Sequence, residues 1–267
     1  MNPSTATTGS TFISGTRFAA LTGNDPSRDF LVEIDLGAIF PDGCRVRSYR
    51  FFPENLDSRY LSDLRWPSFL GDAQRSRKME YLAGRICALK AFCHESADQA
   101  DPFSIKRSPE RYPIWPSDVT GSISHSHNVV FAGVAEKERY LGLGLDCELL
   151  LSEQSLSSVM RSAISRTEAE LKPDDFDLRL WATILFSAKE SVYKAIFPIS
   201  HEDLRYDDME VAAVDPSRRV LHVKIKKPTL GVEREFVETR FFFDRSAVYT
   251  VATIPRAKIG CRNNEEA

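Results

Sequence analysis

Two carboxylates share one face of a predicted strand in the stretch LGLGLDCELL. Because side chains alternate between the faces of a strand, Asp146 and Glu148 lie on the same side as Gly142 and Gly144, opposite an apolar face. Paired oxygen ligands suit Mg²⁺, a hard cation that keeps part of its water shell and commonly bridges to phosphates. The glycines would let a ligand or another backbone approach closely. A strand end with two solvated acids explains the pair equally well.

A second group of charges interrupts an apolar stretch, LWATILFSAKESVYKAIF. With about 100° of rotation per residue, Glu190 and Lys194 lie opposite the core face, four residues apart and within contact range, and Lys189 lies on the flank. An exposed Glu–Lys pair is the simplest explanation. If Glu190 instead faces Asp146 and Glu148, three carboxylates converge, and they repel one another unless a divalent cation lies among them.

Small hydroxyls and imidazoles are concentrated in GSISHSH, ahead of a strand predicted to begin near Asn128. Ser124 and His125, with flexible backbone, could wrap a phosphate through hydrogen bonds. A Ser–His pair also suggests nucleophilic catalysis, but the chain has no G-x-S-x-G elbow around it. A plain polar loop is the alternative, and His127 receives no catalytic role.

Basic residues follow one face of a helix predicted for DAQRSRKMEYLAGRICALKAFC. Arg77, Tyr81 and Arg85 share this face, and the two arginines lie about 12 Å apart along the axis. That separation suits two phosphate groups of one extended ligand, although a solvated basic face is the simpler explanation. Lys106 and Arg107 add positive charge in the Pro-rich stretch FSIKRSPERYPIWP.

The elements that must position these residues predict an α+β fold. Helical and strand patterns cluster along the chain rather than alternate, which disfavours a parallel α/β sheet. FLVEIDL predicts an early strand, NVVFAGVAE and YLGLGLDCELL predict neighbouring strands, and residues 152–172 predict one or two polar helices. The apolar helix is expected to end near Pro198. Three further runs, RVLHVKIKK, EFVETRFFF and AVYTVATI, predict an antiparallel meander.

Length and composition limit the possible classes of protein. The 267 residues suit one large domain or two smaller ones, and a net charge of −3 gives no basic field for nucleic acid. No apolar run is long enough to span a membrane. Five cysteines without close pairing indicate reduced thiols and a cytoplasmic protein. Residues 1–20 predict a disordered tail without a secretory signal.

Five stretches, in this order, resemble the 4'-phosphopantetheinyl transferases of the larger, surfactin-type class, in its enterobactin synthase component D-like branch. They are RKMEYLAGRICA, YPIWP, GSISHSH, LGLGLDCEL and FSAKESVYKAIF, and they span roughly residues 73–198. The resemblance implies transfer of the phosphopantetheine arm of coenzyme A to a serine of an apo acyl- or peptidyl-carrier protein. The other product is 3',5'-ADP, and siderophore or other nonribosomal peptide or polyketide synthesis is the expected setting.

The resemblance also implies roles for single residues. Glu190 matches the proposed general base that deprotonates the carrier serine, directly or through water. Lys194 matches the lysine that neutralises or protonates the leaving phosphate. The implied Mg²⁺ ligands are Asp146, Glu148, Glu190 and the carbonyl of Cys147, and the implied coenzyme A contacts are Arg77, Arg85, Lys106, Arg107, Ser124, His125 and Lys189.

The fold implied by the resemblance is a pseudodimer of two similar α+β halves with antiparallel sheets and the active site in the cleft between them. Residues 21–138 would form the half that contacts coenzyme A, and residues 139–267 the half that carries the Mg²⁺ and catalytic residues. Glu190 should then lie within reach of the same metal ion as Asp146 and Glu148.

Two other functions remain open at this point. One is a Mg²⁺-dependent nucleotide or coenzyme A hydrolase, and the other is a non-catalytic module that binds carrier proteins. Because carrier proteins are usually acidic, a basic or apolar docking surface is expected near the cleft. Residues 224–227, KIKK, are one candidate, although a solvated strand end explains them as well. A monomer that binds no nucleic acid is expected.

Overall fold

The computed structural model describes residues 29–37, 40–56, 61–62, 64–93, 100–227 and 236–256. The predicted tail at residues 1–20 and Cys261 lie outside them. The helices are α1 (Arg75–Cys93), α2 (Glu153–Ser162), α3 (Arg166–Glu170) and α4 (Leu178–Ser200). The strands are β1 (Leu31–Glu33), β2 (Cys44–Phe51), β3 (Lys106–Arg107), β4 (Pro113–Ile114), β5 (Val119–Ser126), β6 (Val129–Glu136), β7 (Tyr140–Leu149), β8 (Met209–Asp215), β9 (Val220–Ile225), β10 (Phe236–Phe243) and β11 (Ala247–Pro255).

The first sheet has four antiparallel strands in the order β1-β2-β6-β5, and α1 packs against three of them. Helical spacing puts Met79, Leu82 and Ile86 on the face of α1 that meets the sheet, and all three are buried. The same periodicity places Arg77, Tyr81 and Arg85 along another face, as the sequence predicts. This face borders the candidate site.

The second sheet has five antiparallel strands in the order β7-β11-β10-β9-β8, and α4 packs against it. Trp181, Ile184 and Val192 belong to the predicted core face of α4 and are fully buried. The α+β class and the antiparallel meander β9-β10-β11 are confirmed. The helix continues two residues past Pro198 and ends where His201 adopts a left-handed conformation, at φ 55°.

Two glycines let α4 lie directly on β7. A Cβ added to Gly144 would overlap the carbonyl of Ser191, and one added to Gly142 would overlap the carbonyl of Ala195. Of the two roles open to these glycines, the structure therefore favours the close approach of another backbone. The same face of β7 carries Asp146, so the contact brings α4 next to the carboxylate.

The two sheets meet where β5 lies alongside β7. Behind this seam, apolar residues of β6, β7 and β11 form one buried cluster that includes Phe131, Leu145 and Tyr249. The two predicted neighbouring strands around residues 130 and 145 are present as β6 and β7, which contact each other. They are not hydrogen-bonded to each other, because β6 pairs with β2 and β5 while β7 pairs with β11. Among the described residues, none of the helices combines the length and apolar character needed to cross a bilayer.

Candidate active site

Asp146 lies at the centre of the site, on the face of β7 that α4 covers. Its side chain is 2% exposed and accepts hydrogen bonds from Ser124 Oγ at 2.9 Å and Ser187 Oγ at 2.7 Å. Lys194 Nζ forms an ion pair with Asp146 Oδ1 at 2.6 Å. Burial lowers the pKa of Lys194, but the charge of Asp146 and the hydrogen bond to it outweigh burial and raise the pKa overall.

Glu148 follows on the same face of β7 and accepts a hydrogen bond from Ser126 Oγ at 3.0 Å. Burial and the nearby charge of Asp146 raise the pKa of Glu148 to about 7, although the Ser126 hydrogen bond and the charge of Lys194 act in the opposite direction. The protein by itself therefore leaves negative charge at this position poorly compensated.

Glu190 projects from α4 toward the turn that precedes β8. Its Oε1 accepts a short hydrogen bond from the hydroxyl of Tyr206, and burial together with this bond raises the pKa of that tyrosine. Sequence patterns gave no indication of Tyr206, because a contact across 16 residues of helix and turn depends on the tertiary fold.

The donor set is the one that a hard divalent cation prefers. Asp146, Glu148 and Glu190 all supply carboxylate oxygens, and the raised pKa of Glu148 marks charge that a cation would compensate. The residues therefore fit Mg²⁺ by chemistry. The three carboxylates were expected to converge on one ion, but they do not do so in this arrangement. Among the described residues, no three Asp, Glu, His or Cys side chains lie close enough together to bind one metal ion. Asp146 is held by Lys194 and Glu190 by Tyr206 instead.

Cys147 points away from these carboxylates. Its side chain is fully buried in the apolar cluster behind the seam, and burial raises the pKa of its thiol well above the ordinary value. Because the thiol lies in this apolar cluster, the backbone carbonyl of Cys147 is the group left to assist a metal.

GSISHS lies within strand β5, which rules out the alternative of a plain polar loop and also the flexible backbone expected around a phosphate. Its serines repeat every second residue, which is the period of a strand. Their hydroxyls contact β7 as follows: Ser122 Oγ donates to the Leu145 carbonyl at 3.5 Å, Cys147 N–H donates to Ser124 Oγ at 3.4 Å, and Leu149 N–H donates to Ser126 Oγ at 3.5 Å. Hydroxyls thus bridge the two sheets where backbone pairing is absent. The alternation of serines was the signal that could have identified this strand.

A basic cavity of about 110 Å³ opens beside β5. Arg85 is 4% exposed within its wall, its guanidinium lies 4.7 Å from the centre of the Tyr81 ring, and its Nη1 has no hydrogen-bond partner. Burial lowers the pKa of Arg85, and the interaction with Tyr81 offsets only part of this effect. Further basic residues in the wall are Arg77, Arg107, Arg111 and His125.

His125 contacts this cavity from β5. Arg77 Nη1 lies 2.9 Å from His125 Nε2, so the imidazole accepts a hydrogen bond there when Nε2 is unprotonated. Burial lowers the pKa of His125, which favours this neutral form. Ser124, in contrast, faces Asp146 and Lys194 rather than the cavity.

A second cavity of about 210 Å³ contains Glu190 and Lys194 in its wall. Its apolar side is aromatic, with Tyr193 stacked on Phe197 at 5.2 Å and Tyr112 edge-on to the same ring. Three residues line both this cavity and the basic one, namely Arg111, Pro113 and Ile123. One extended ligand that fills both cavities would therefore contact the arginines together with Glu190 and Lys194.

Lys189 does not face either cavity, and its assignment as a coenzyme A contact is corrected. It is 2% exposed and forms an ion pair with Glu168 of α3 at 2.8 Å, and it also donates to the carbonyls of Ala163 and Tyr206. A helical projection places it on the flank of α4 but cannot show that α3 covers that flank. Lys106 lies exposed on β3, and it is not among the described residues that line the two cavities.

Comparison with known proteins agrees with this geometry. Residues 68–135 match the family model of the 4'-phosphopantetheinyl transferase N-terminal domain, and residues 142–252 match that of the 4'-phosphopantetheinyl transferase superfamily. Enterobactin synthase component D of Salmonella typhi is 31% identical over 185 residues, which cover 69% of this chain and 75% of that protein. A 4'-phosphopantetheinyl transferase of Nocardia iowensis is 28% identical over 65% of this chain and 74% of its own length. The chain therefore belongs to the 4'-phosphopantetheinyl transferase superfamily.

Proposed function

We propose that this site transfers the 4'-phosphopantetheine arm of coenzyme A to a serine hydroxyl of an apo carrier protein and releases 3',5'-ADP. The observation that carries the proposal is the unpartnered Nη1 of Arg85 in a cavity that continues to Glu190 and Lys194. A buried cation without a partner costs free energy, and a phosphate oxygen satisfies it with a charge-assisted hydrogen bond.

The residues divide the transfer between them. The carrier serine oxygen attacks the phosphorus that bears the pantetheine arm, and the bond from this phosphorus to the oxygen shared with the adenosine-side phosphate breaks. Glu190 accepts the serine proton, and Lys194 neutralises the charge that appears on the leaving phosphate oxygen. To accept this proton, Glu190 must release the hydrogen bond that it receives from the Tyr206 hydroxyl. Bound Mg²⁺, held by Asp146, Glu148, Glu190 and the Cys147 carbonyl, would supply further charge neutralisation at the diphosphate.

We also propose that the fold is a pseudodimer with its active site in the cleft between the halves, residues 21–138 and 139–267. Each half would then contain one sheet with a long helix packed on it, α1 on the first sheet and α4 on the second. The position of the catalytic residues supports this division. Arg77 and Arg85 come from the first sheet's helix, whereas Asp146 and Glu190 come from the second sheet and its helix.

Siderophore or other nonribosomal peptide or polyketide synthesis is the setting we propose, because relatives are named as enterobactin synthase components. Residues 224–227 are a weak candidate for docking an acidic carrier. Lys226 forms an ion pair with Glu210 at 3.2 Å and Lys227 with Glu202 at 3.5 Å, which offsets their charge. The thiols of Cys44, Cys87 and Cys147 support the cytoplasmic assignment. A monomer remains a prediction.

The proposal is tested by weighing intact carrier proteins. The protein is incubated with Mg²⁺, coenzyme A and a panel of apo carriers from siderophore, polyketide and fatty-acid synthases. At least one carrier should gain the mass of a single phosphopantetheine group. Coenzyme A turnover without a carrier would indicate the hydrolase instead. Carrier binding without transfer, unchanged in Glu190→Gln, would indicate a non-catalytic module.

A further inference from the structure

Arg111 occupies an unfavourable backbone conformation in the short hairpin between β3 and β4. Its φ of 81° lies in the left-handed region, which glycine adopts without steric cost and an arginine does not. The hairpin is closed by Ser108 N–H donating to the Tyr112 carbonyl at 2.8 Å, and Arg111 N–H donates to the Ser108 carbonyl at 3.0 Å. Glycine would fit the turn better, so a long basic side chain here needs a reason other than the turn.

Arg111 lines both cavities. Of the three residues that line both cavities, Arg111 is the charged one, because the others are Pro113 and Ile123. Arg107 is close enough that burial and the charge of Arg111 together lower its pKa. Within the described part of the chain, no carboxylate forms an ion pair with either arginine. Two neighbouring guanidiniums without an acidic partner favour an anion between the cavities.

We infer that Arg111 binds the diphosphate of coenzyme A at the junction of the two cavities. This inference rests on the proposed function. The diphosphate contains the bond that breaks, so it must lie near Glu190 and Lys194, while the adenosine end with its 3'-phosphate extends toward Arg77 and Arg85. Arg111 borders both regions and would hold the diphosphate before transfer and the leaving phosphate after it.

The test replaces Arg111 with glycine and measures ligand binding by calorimetry in the full-length protein. Arg111→Gly removes the guanidinium and also relieves the backbone, so the melting temperature should stay the same or rise. The Kd for coenzyme A should rise about tenfold or more, the size expected for one lost charge-assisted hydrogen bond. Arg111→Lys should recover part of the affinity. For coenzyme A that lacks the 3'-phosphate, the substitution Arg111→Gly should raise the Kd by the same factor, because the diphosphate is intact in both ligands.

Arg219 offers a matched control, because it is a second arginine with positive φ, at 54°. It lies in the turn between β8 and β9, and its guanidinium is 5.3 Å from the centre of the Phe243 ring. Arg219→Gly should leave the Kd for coenzyme A unchanged.

Three results would overturn the assignment of Arg111. They are an unchanged Kd in Arg111→Gly, a loss of affinity confined to the ligand that carries the 3'-phosphate, and a fall in melting temperature that accounts for the lost binding. Each of these leaves transfer by the wild-type protein intact. If the wild-type protein itself neither binds coenzyme A nor modifies a carrier, the proposed function fails as well as the assignment of Arg111.

Discussion

At the scale of single residues, Lys194 joins the two sheets through its ammonium group. Its Nζ donates to Ser124 Oγ at 3.0 Å from β5 and to Asp146 Oδ1 at 2.6 Å from β7. One cation thus contacts a residue from each sheet at their seam. In that position it can neutralise charge on a phosphate that is bound across the seam.

Replacing Lys194 with methionine keeps most of the side-chain volume and removes the charge. Because the charge is needed most when the leaving phosphate forms, kcat should fall about 100-fold or more, while the KM for coenzyme A changes less. Steady-state kinetics of carrier modification measure both quantities. A change confined to KM would contradict the role in the transition state, and thermal unfolding of the variant shows whether the fold is kept.

His125 provides a prediction about pH. Because burial lowers its pKa in the folded state, its contribution to the free energy of unfolding is complete above pH 6.5, the ordinary histidine value. That contribution is lost as the pH falls from 6.5 through the lowered pKa. An NMR titration, assigned with His125→Gln, should show a midpoint below 6.5, and bound coenzyme A should move it upward because phosphate favours imidazolium. A midpoint at or above 6.5 without ligand would contradict the environment described.

At the scale of helices and strands, α4 can contact β7 closely because Gly144 has no side chain. A Cβ on Gly144 would overlap the Ser191 carbonyl, which is rigid helix backbone. Gly144→Ala should therefore lower the free energy of unfolding by about 1–3 kcal/mol and reduce activity, because α4 carries Glu190 and Lys194. Urea unfolding measures the first effect.

Gly71→Ala serves as the control for that substitution. Its added Cβ would lie 3.3 Å from the nearest atom, the Ser68 carbonyl oxygen, and Gly71 has a right-handed helical conformation. Its effect on unfolding should be clearly smaller. If the two substitutions lower the free energy of unfolding equally, the close approach of α4 to β7 is not the reason why position 144 requires glycine.

The ion pair between Lys189 and Glu168 links α4 to α3. Both side chains are almost completely buried, and Glu168 also accepts hydrogen bonds from the N–H groups of Ser165 and Val211. Lys189→Met leaves a buried carboxylate without its cation and should cost about 3–5 kcal/mol of unfolding free energy. Adding Glu168→Gln should recover a large part of this loss, and a double-mutant cycle measures the coupling. Additive effects would contradict the pairing.

Sequence periodicity predicts the helices better than the strands here. The apolar arcs of α1 and α4 span enough turns to define a face, and the core residues Met79 and Trp181 follow from them. Strand β5 escaped prediction because its serines have the composition of a loop, and their partners on β7 are set by tertiary structure. Lys189 was misassigned for the same reason, since Glu168 approaches it from a separate helix.

At the scale of the whole molecule, the residues that we propose for catalysis lie where the two sheets meet. An apolar cluster that includes Phe131, Leu145 and Tyr249 closes the back of this seam, and serine hydroxyls of β5 bridge it in front. The paired spacing of Asp146 and Glu148 was predictable from one strand. The position of Glu190 was not, because its hydrogen bond to Tyr206 depends on the turn before β8.

We propose that transfer to a protein acceptor takes place at this seam. The most direct test measures 3',5'-ADP and modified carrier in the same reaction with Mg²⁺ and coenzyme A. The wild-type protein should form the two products in equal amounts, and Glu190→Gln and Lys194→Met should reduce both together. Release of 3',5'-ADP in the absence of a carrier, or in large excess over modified carrier, would contradict transfer to a protein acceptor and indicate hydrolysis of coenzyme A.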